Sequence, residues 1–142
     1  EHRVEKFFTF NDIKFINDSK STNADSTSNA LMSLEHNIIL IMGGDNKKMS
    51  YKILKKLIND KVKILIMIGE NKDDLDKLID VNIDKICYDD LEDAISYIFS
   101  VMMPGDTVLM SPATSSYCMY DNYQDRGNHF KELVKKYASQ QN

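Results

Sequence analysis

Four times in this chain a short apolar run ends at a glycine or a polar loop and gives way to residues with helical spacing. The runs are Asn37–Met42, Lys63–Ile68, Lys85–Tyr88 and Thr107–Met110. Continuous rather than alternating apolar character suits a strand buried on both faces, as in a parallel sheet. The stretches that follow carry apolar residues three and four apart: Ile53, Leu54, Leu57 and Ile58; then Leu75, Leu78 and Ile79; then Leu91, Ala94, Ile95, Ile98, Phe99 and Met102; and finally Phe130, Leu133, Val134 and Tyr137, within a helix predicted over Tyr123–Ala138. Ser50 and Asp90 stand where helix N-caps belong, and Pro104-Gly105-Asp106 reads as a turn. Strands alternating with helices at this interval imply βαβ units. Upstream, Val4–Phe10 and Ile13–Ile16 read as strands joined by Asn11-Asp12, residues that tolerate the positive φ of a two-residue hairpin turn. A first helix is predicted from about Asn23 to Leu34, with Ala24, Thr27, Leu31 and Leu34 on one face. The expected fold is therefore α/β and Rossmann-like. It has a mainly parallel sheet of about six strands, an antiparallel hairpin at one edge, and helices on both faces.

The 142 residues suffice for one domain with a real core, and residues 1–142 are expected to form it. The start at Glu1 rather than Met suggests a piece of something longer. A net charge of −4 with no basic run argues against a nucleic-acid surface. No apolar run approaches the roughly 20 residues of a membrane helix. No signal peptide is visible, and Cys87 and Cys118 suggest no disulfide framework. The expectation is a reduced, cytoplasmic protein whose tail, Ser139–Asn142, is frayed. The eight methionines read as core filler.

In open α/β sheets, ligands sit at the carboxyl ends of the strands. Three polar loops leave from such ends. Asn17-Asp18-Ser19-Lys20-Ser21-Thr22-Asn23 opens a helix, and a helix start offers unpaired N–H groups to phosphate or carboxylate. The same residue types also make an ordinary capped turn. Gly43-Gly44-Asp45-Asn46-Lys47 lets the backbone turn tightly, and Lys47 suits an anionic ligand or a solvated surface alike. It lacks the spacing of a Walker A loop, and the chain contains no G-x-G-x-x-G. Ser111–Tyr123 is rich in hydroxyls, but no G-x-S-x-G elbow surrounds its serines. Donation to a bound carboxylate is a better reading for them than nucleophilic catalysis, with local bonding to backbone the alternative. His2, His36 and His129 are scattered, so no zinc-type spacing is present. Arg126 either bonds back to a carboxylate at the rim or lies on the surface.

Taken together these pieces resemble the C-terminal domain of the Mur ligases, in the form carried by the D-glutamate-adding members. His2-Arg3-x-Glu5 resembles the linker into that domain. Asn17-Asp18-Ser19-Lys20-x-Thr22-Asn23 resembles N-D-S-K-A-T-N, with Ser21 in place of Ala. Gly43-Gly44-Asp45-x-Lys47 matches G-G-D-x-K. Ser111-Pro112-Ala113-x-x-Ser116 is similar to S-P-A-C-A-S, with Thr114 and Ser115 departing from it. Arg126-Gly127-x-x-Phe130 matches R-G-x-x-F. Five pieces in the right order cover nearly the whole chain.

The resemblance implies an ATP-driven amide ligase of peptidoglycan synthesis, in which a substrate carboxylate is phosphorylated and the amine of D-glutamate then attacks. It implies that Thr22 and Lys47 hold the α-carboxylate of D-glutamate. Ser116, with backbone around Tyr123, would hold the side-chain carboxylate, and Tyr117 and Tyr123 would form the wall. His2, Arg3 and Asp18 would reach the ribose and adenine of ATP, and Lys20 its phosphate side. No catalytic residue and no metal ligand is implied within the chain. The magnesium ligands, the ATPase domain and the domain binding UDP-N-acetylmuramoyl-L-alanine would lie elsewhere in a monomeric enzyme, and the isolated piece would be inactive. The alternatives are a stand-alone Rossmann-like module that binds a small anion, or a sister ligase for another amino acid, of Mur or folylpolyglutamate synthase type.

Overall fold

The computed structural model describes residues 1–43, 52–69, 81–114 and 120–141. Strands β1 (Glu5–Phe10) and β2 (Ile13–Asn17) form the opening hairpin. Asn11 and Asp12 both take positive φ, 50° and 64°. That is the type I′ requirement, and its twist matches the flanking strands. Helix α1 (Ala24–Met32) follows, then β3 (Ile38–Gly43), α2 (Lys52–Lys61), β4 (Val62–Ile68), β5 (Asp84–Tyr88), α3 (Leu91–Val101), β6 (Thr107–Met110) and α4 (Tyr123–Ser139). Asn23, Asp90 and Asn122 cap α1, α3 and α4 by accepting the N–H three residues on, which satisfies one otherwise unpaired donor each.

The six strands form one sheet in the order β1-β2-β6-β3-β4-β5. Only the hairpin pair is antiparallel; every other pairing is parallel. Strand alternation sorts the core into two layers. Leu40, Met42, Leu65, Met67 and Leu109 pack with Leu31 of α1 and with Leu54 and Ile58 of α2. Ile39, Ile41, Ile66 and Val108 point the other way, with Phe15, onto Ile95 and Ile98 of α3 and Phe130 and Val134 of α4. Phe15 and Phe130 are fully buried, each a burial of the kind that contributes about 1.5–3 kcal/mol. Helices on both faces are what the continuous apolar strands require.

Several local expectations need correction. Ile53 does not join the inward face of α2: it is 66% exposed. Positions 54 and 58 are one turn apart and both buried, and a 100° step from 54 carries residue 53 off that stripe. The run at β5 is half-buried rather than buried on both faces, because among the described strands it lies at an edge with one neighbour. Helix α3 stops at Val101, leaving Met102 extended, whereas α4 continues through Ser139, which the sequence assigns to the tail. The expected cap at Ser50 and the helix bearing Leu75, Leu78 and Ile79 lie outside the described residues.

Candidate functional site

Strands β2, β6 and β3 are parallel neighbours, so the loops at their carboxyl ends start side by side. Backbone bonds then stitch the loops together. Ser111 N–H donates to Ile41 O at 3.1 Å, Gly43 N–H to Pro112 O at 3.0 Å, and Ala113 N–H to Ser21 O at 3.0 Å. The Gly43 backbone has φ +124°, and a Cβ there would lie 2.0 Å from Ile68 O, so only glycine lets β3 end against β4 in this way.

Asp18 anchors the first loop. Its carboxylate is buried and accepts from Val4 N–H at 2.9 Å, from the Ser21 hydroxyl and from Ser111 Oγ at 2.7 Å. Ser111 Oγ also lies 2.9 Å from Thr27 Oγ1. With the one Ser111 proton committed to the carboxylate, the stronger acceptor, the Thr27 hydroxyl is the donor toward Ser111, whose backbone O it reaches at 3.3 Å. One carboxylate thereby joins the N-terminal segment, the 18–22 turn, the loop after β6 and, through Ser111, helix α1.

The N-terminal segment docks against the same turn. Asn17 Nδ2 donates to His2 Nδ1 at 2.8 Å and to Glu5 Oε1 at 2.9 Å, while Asn17 Oδ1 accepts Ser19 N–H. His2 Nδ1 is thus the acceptor of the pair. Lys20 N–H donates to His2 O at 2.9 Å, and the His2 ring meets Tyr123 edge-on at 5.9 Å. Space for that ring comes from Gly127, where a Cβ would stand 2.2 Å from His2 Nδ1.

Arg126 is neither on the surface nor paired with a carboxylate among the described residues. It is buried, and donates through Nε to Ser19 Oγ at 2.9 Å and through Nη2 to Ser19 O at 2.8 Å. Ser19 Oγ in turn donates to Tyr123 O at 2.7 Å. Burial lowers the Arg126 pKa to about 10, which still leaves a full cation at neutral pH. Near the same helix start, Tyr120 Oη lies 2.7 Å from His129 Nδ1. Burial pushes the Tyr120 phenol up to about 12, so it remains protonated and able to donate.

Of the residues singled out from the sequence, His2 and Asp18 are buried within this network and Arg3 is exposed. Thr22 and Tyr123 are half-buried, and Lys20 is exposed with its ammonium 5.9 Å from the centre of the Tyr123 ring. The structure thus gathers His2, Asp18, Lys20 and Tyr123 at one rim, with Thr22 following the tethered Ser21. Lys47, Ser116, Tyr117 and Cys118 lie outside the described residues. Sequence reasoning passed over Asn17, Ser19, Ser111, Thr27 and Glu5 as structural parts of the site. Asn17 and Ser19 stood within the quoted motif, but nothing local showed that their partners were His2 and Arg126. Among the described residues no three histidine, cysteine or carboxylate side chains converge as a metal site.

Residues 2–114 match the family model described as Mur ligase, glutamate ligase domain. The chain is 41% identical over 140 residues to a UDP-N-acetylmuramoylalanine–D-glutamate ligase of Caldicellulosiruptor saccharolyticus, covering 96% of this chain and 30% of that protein. It is 38% identical over 135 residues to the protein of the same name from Salinibacter ruber, covering 94% of this chain and 29% of the other. The chain therefore spans under a third of the length of these relatives. Among solved structures, a MurF ligase from Thermotoga maritima in complex with ADP superposes with a TM-score of 0.64 at 13% identity, over 98% of this chain and 31% of that one. A domain from Haemophilus ducreyi 35000HP superposes with a TM-score of 0.66 at 13% identity, over 94% of this chain and 98% of its own. At such identities the superpositions speak for the fold, and the motifs from His2 through Ala113 lie within the residues that the family model matches. The chain belongs to the Mur ligase family, as its glutamate ligase domain.

Proposed function

We propose that this chain is the amino-acid-binding domain of an ATP-dependent ligase that adds D-glutamate to UDP-N-acetylmuramoyl-L-alanine in peptidoglycan synthesis. The observation that carries the reading is the stitching of the loops after β2, β3 and β6 at one rim. The relatives named as D-glutamate ligases support the choice of amino acid. In this reading Thr22 and Lys47 hold the α-carboxylate. Ser116 and backbone near Tyr123 hold the side-chain carboxylate, with Tyr117 and Tyr123 as the wall. Two held carboxylates fix the direction of one amine, and such positioning is a large part of catalysis of a bimolecular step.

ATP would supply the activating phosphoryl group. The donor set fits ATP, since Lys20 is an exposed cation for the phosphate side and Arg3, next to the His2 carbonyl that accepts Lys20 N–H, is exposed for the ribose and adenine side. The Asp18 carboxylate is engaged by three donors of its own chain, so in this reading its part is to hold the turn that presents Lys20 and Thr22, and His2 buttresses that turn from below. Magnesium, the phosphate-binding loop and the muramoyl substrate belong to other domains of the enzyme. We place the whole enzyme in the cytoplasm as a monomer with residues 1–142 as one domain; no helix among the described residues is long and apolar enough to cross a membrane.

The test is Lys47→Ala in the full-length ligase, assayed with D- and L-glutamate. The expected outcome is D-specific wild-type turnover and a KM for D-glutamate raised by roughly tenfold or more, as for loss of a charge-assisted bond. Unchanged kinetics would remove Lys47 from the site, and a preference for another amino acid would move the chain to a sister ligase.

A further inference from the structure

Among the described residues, two buried side-chain nitrogen or oxygen atoms lack a hydrogen-bond partner: Thr114 Oγ1 and Arg126 Nη1. Both are donors, and both belong to this rim. Arg126 reaches the 18–22 turn through Ser19, and Thr114 follows Ala113, whose N–H is bonded to Ser21 O. Arg126 is already engaged through its other two nitrogens, so its role is to hold the turn while adding positive charge beneath it. The Thr114 hydroxyl has no such employment, although the residue is fully buried. The preceding residue, Ala113, takes φ +64°, a left-handed conformation uncommon outside glycine. Leaving a buried hydroxyl unpaired is destabilising, so the Thr114 hydroxyl calls for an acceptor from outside the chain.

Resting on the reading above, we propose that Thr114 is a further amino-acid-binding residue whose hydroxyl donates to a carboxylate oxygen of the incoming amino acid. A neutral donor there complements Thr22 on the neighbouring turn, which the Ala113–Ser21 backbone bond ties to this loop. An unused hydroxyl on a loop tied to the turn that the Arg126 cation holds calls for an acceptor-bearing, anionic ligand.

The experiment compares T114V and T114S in the full-length ligase, with D-glutamate and ATP varied separately and thermal unfolding measured alongside. Valine keeps the shape and removes the hydroxyl. The proposal expects T114V to raise the KM for D-glutamate roughly tenfold or more while T114S stays within about twofold. It also expects an unaltered KM for ATP and a thermal midpoint that is unchanged or higher, since an unpaired buried hydroxyl has gone. A T114V enzyme with wild-type KM overturns the proposal, as does one that is less stable with wild-type KM, because the hydroxyl would then serve the chain's own fold. Should T114V fail to fold, T114A against T114S makes the same comparison, and equal losses in both overturn it. A wild-type enzyme that makes no product from D-glutamate overturns both this inference and the function it rests on; an active wild type with unaffected variants overturns this inference alone.

Discussion

Glu5 joins the N-terminal segment to α4, and its titration reports on that join. Its carboxylate accepts from His2 N–H at 3.1 Å, from Asn17 Nδ2 at 2.9 Å and from Lys131 Nζ at 3.1 Å. Burial is the largest single influence on its pKa and pushes it up. The His2, Asn17 and Lys131 bonds, with the charge of Lys131, together outweigh burial and bring the value from the ordinary 4.5 down to about 2. A carboxyl with a depressed folded pKa stabilises the fold above its unfolded pKa, and that contribution is lost as pH falls through the folded one. The window is therefore from about 4.5 down to about 2. Glu5→Gln should lower the urea midpoint at pH 7, and the gap to wild type should close across that window. A gap that stays constant down to pH 2 would show that the carboxylate charge contributes nothing to the docking of this segment.

Helices α1 and α2 are tied end to end by one side chain. Lys61, the last residue of α2, donates to Leu31 O at 2.8 Å and to Leu34 O at 2.7 Å, carbonyls at and just beyond the C-terminus of α1, where the regular helical donors run out. A cation at that end also meets the negative pole of the helix dipole. Because β4 begins at the next residue, the same contact fixes where α2 hands over to the sheet. Lys61→Met should keep the aliphatic stem, lose the cap and cost about 1–2 kcal/mol. Urea unfolding would measure this, with Lys61→Arg retaining part of the stability. A methionine variant as stable as wild type would mean that water serves those carbonyls equally well.

At the scale of the molecule, the sheet carries two closed apolar layers, and the rim is held by bonds within the chain. The Haemophilus domain matched over 98% of its length shows the same fold at this size. The 142-residue chain expressed alone should therefore unfold in one cooperative transition, coincident by circular dichroism and tyrosine fluorescence. In the proposed reading it should form no amide from D-glutamate and ATP, because its sequence carries no Walker A spacing and the site of the second substrate is assigned to another domain. Measurable turnover by the chain alone would break the assignment of those parts to other domains.

The strands, the hairpin turn, the Asp90 cap and the two-sided burial of the sheet were legible in the amino-acid order, since each follows from neighbours within a few positions and from the period of the apolar residues. The family was legible too, through five short motifs in order. What those motifs do to one another was not. Asp18 meets Ser111 at a separation of 93 residues, and Ser19 meets Arg126 at 107. Such pairings depend on the strand order β2-β6-β3, which brings the end of the chain between two earlier strands. A one-dimensional pattern records which residues are polar; only the packed sheet decided which polar groups satisfy each other and which, like the Thr114 hydroxyl, were left over.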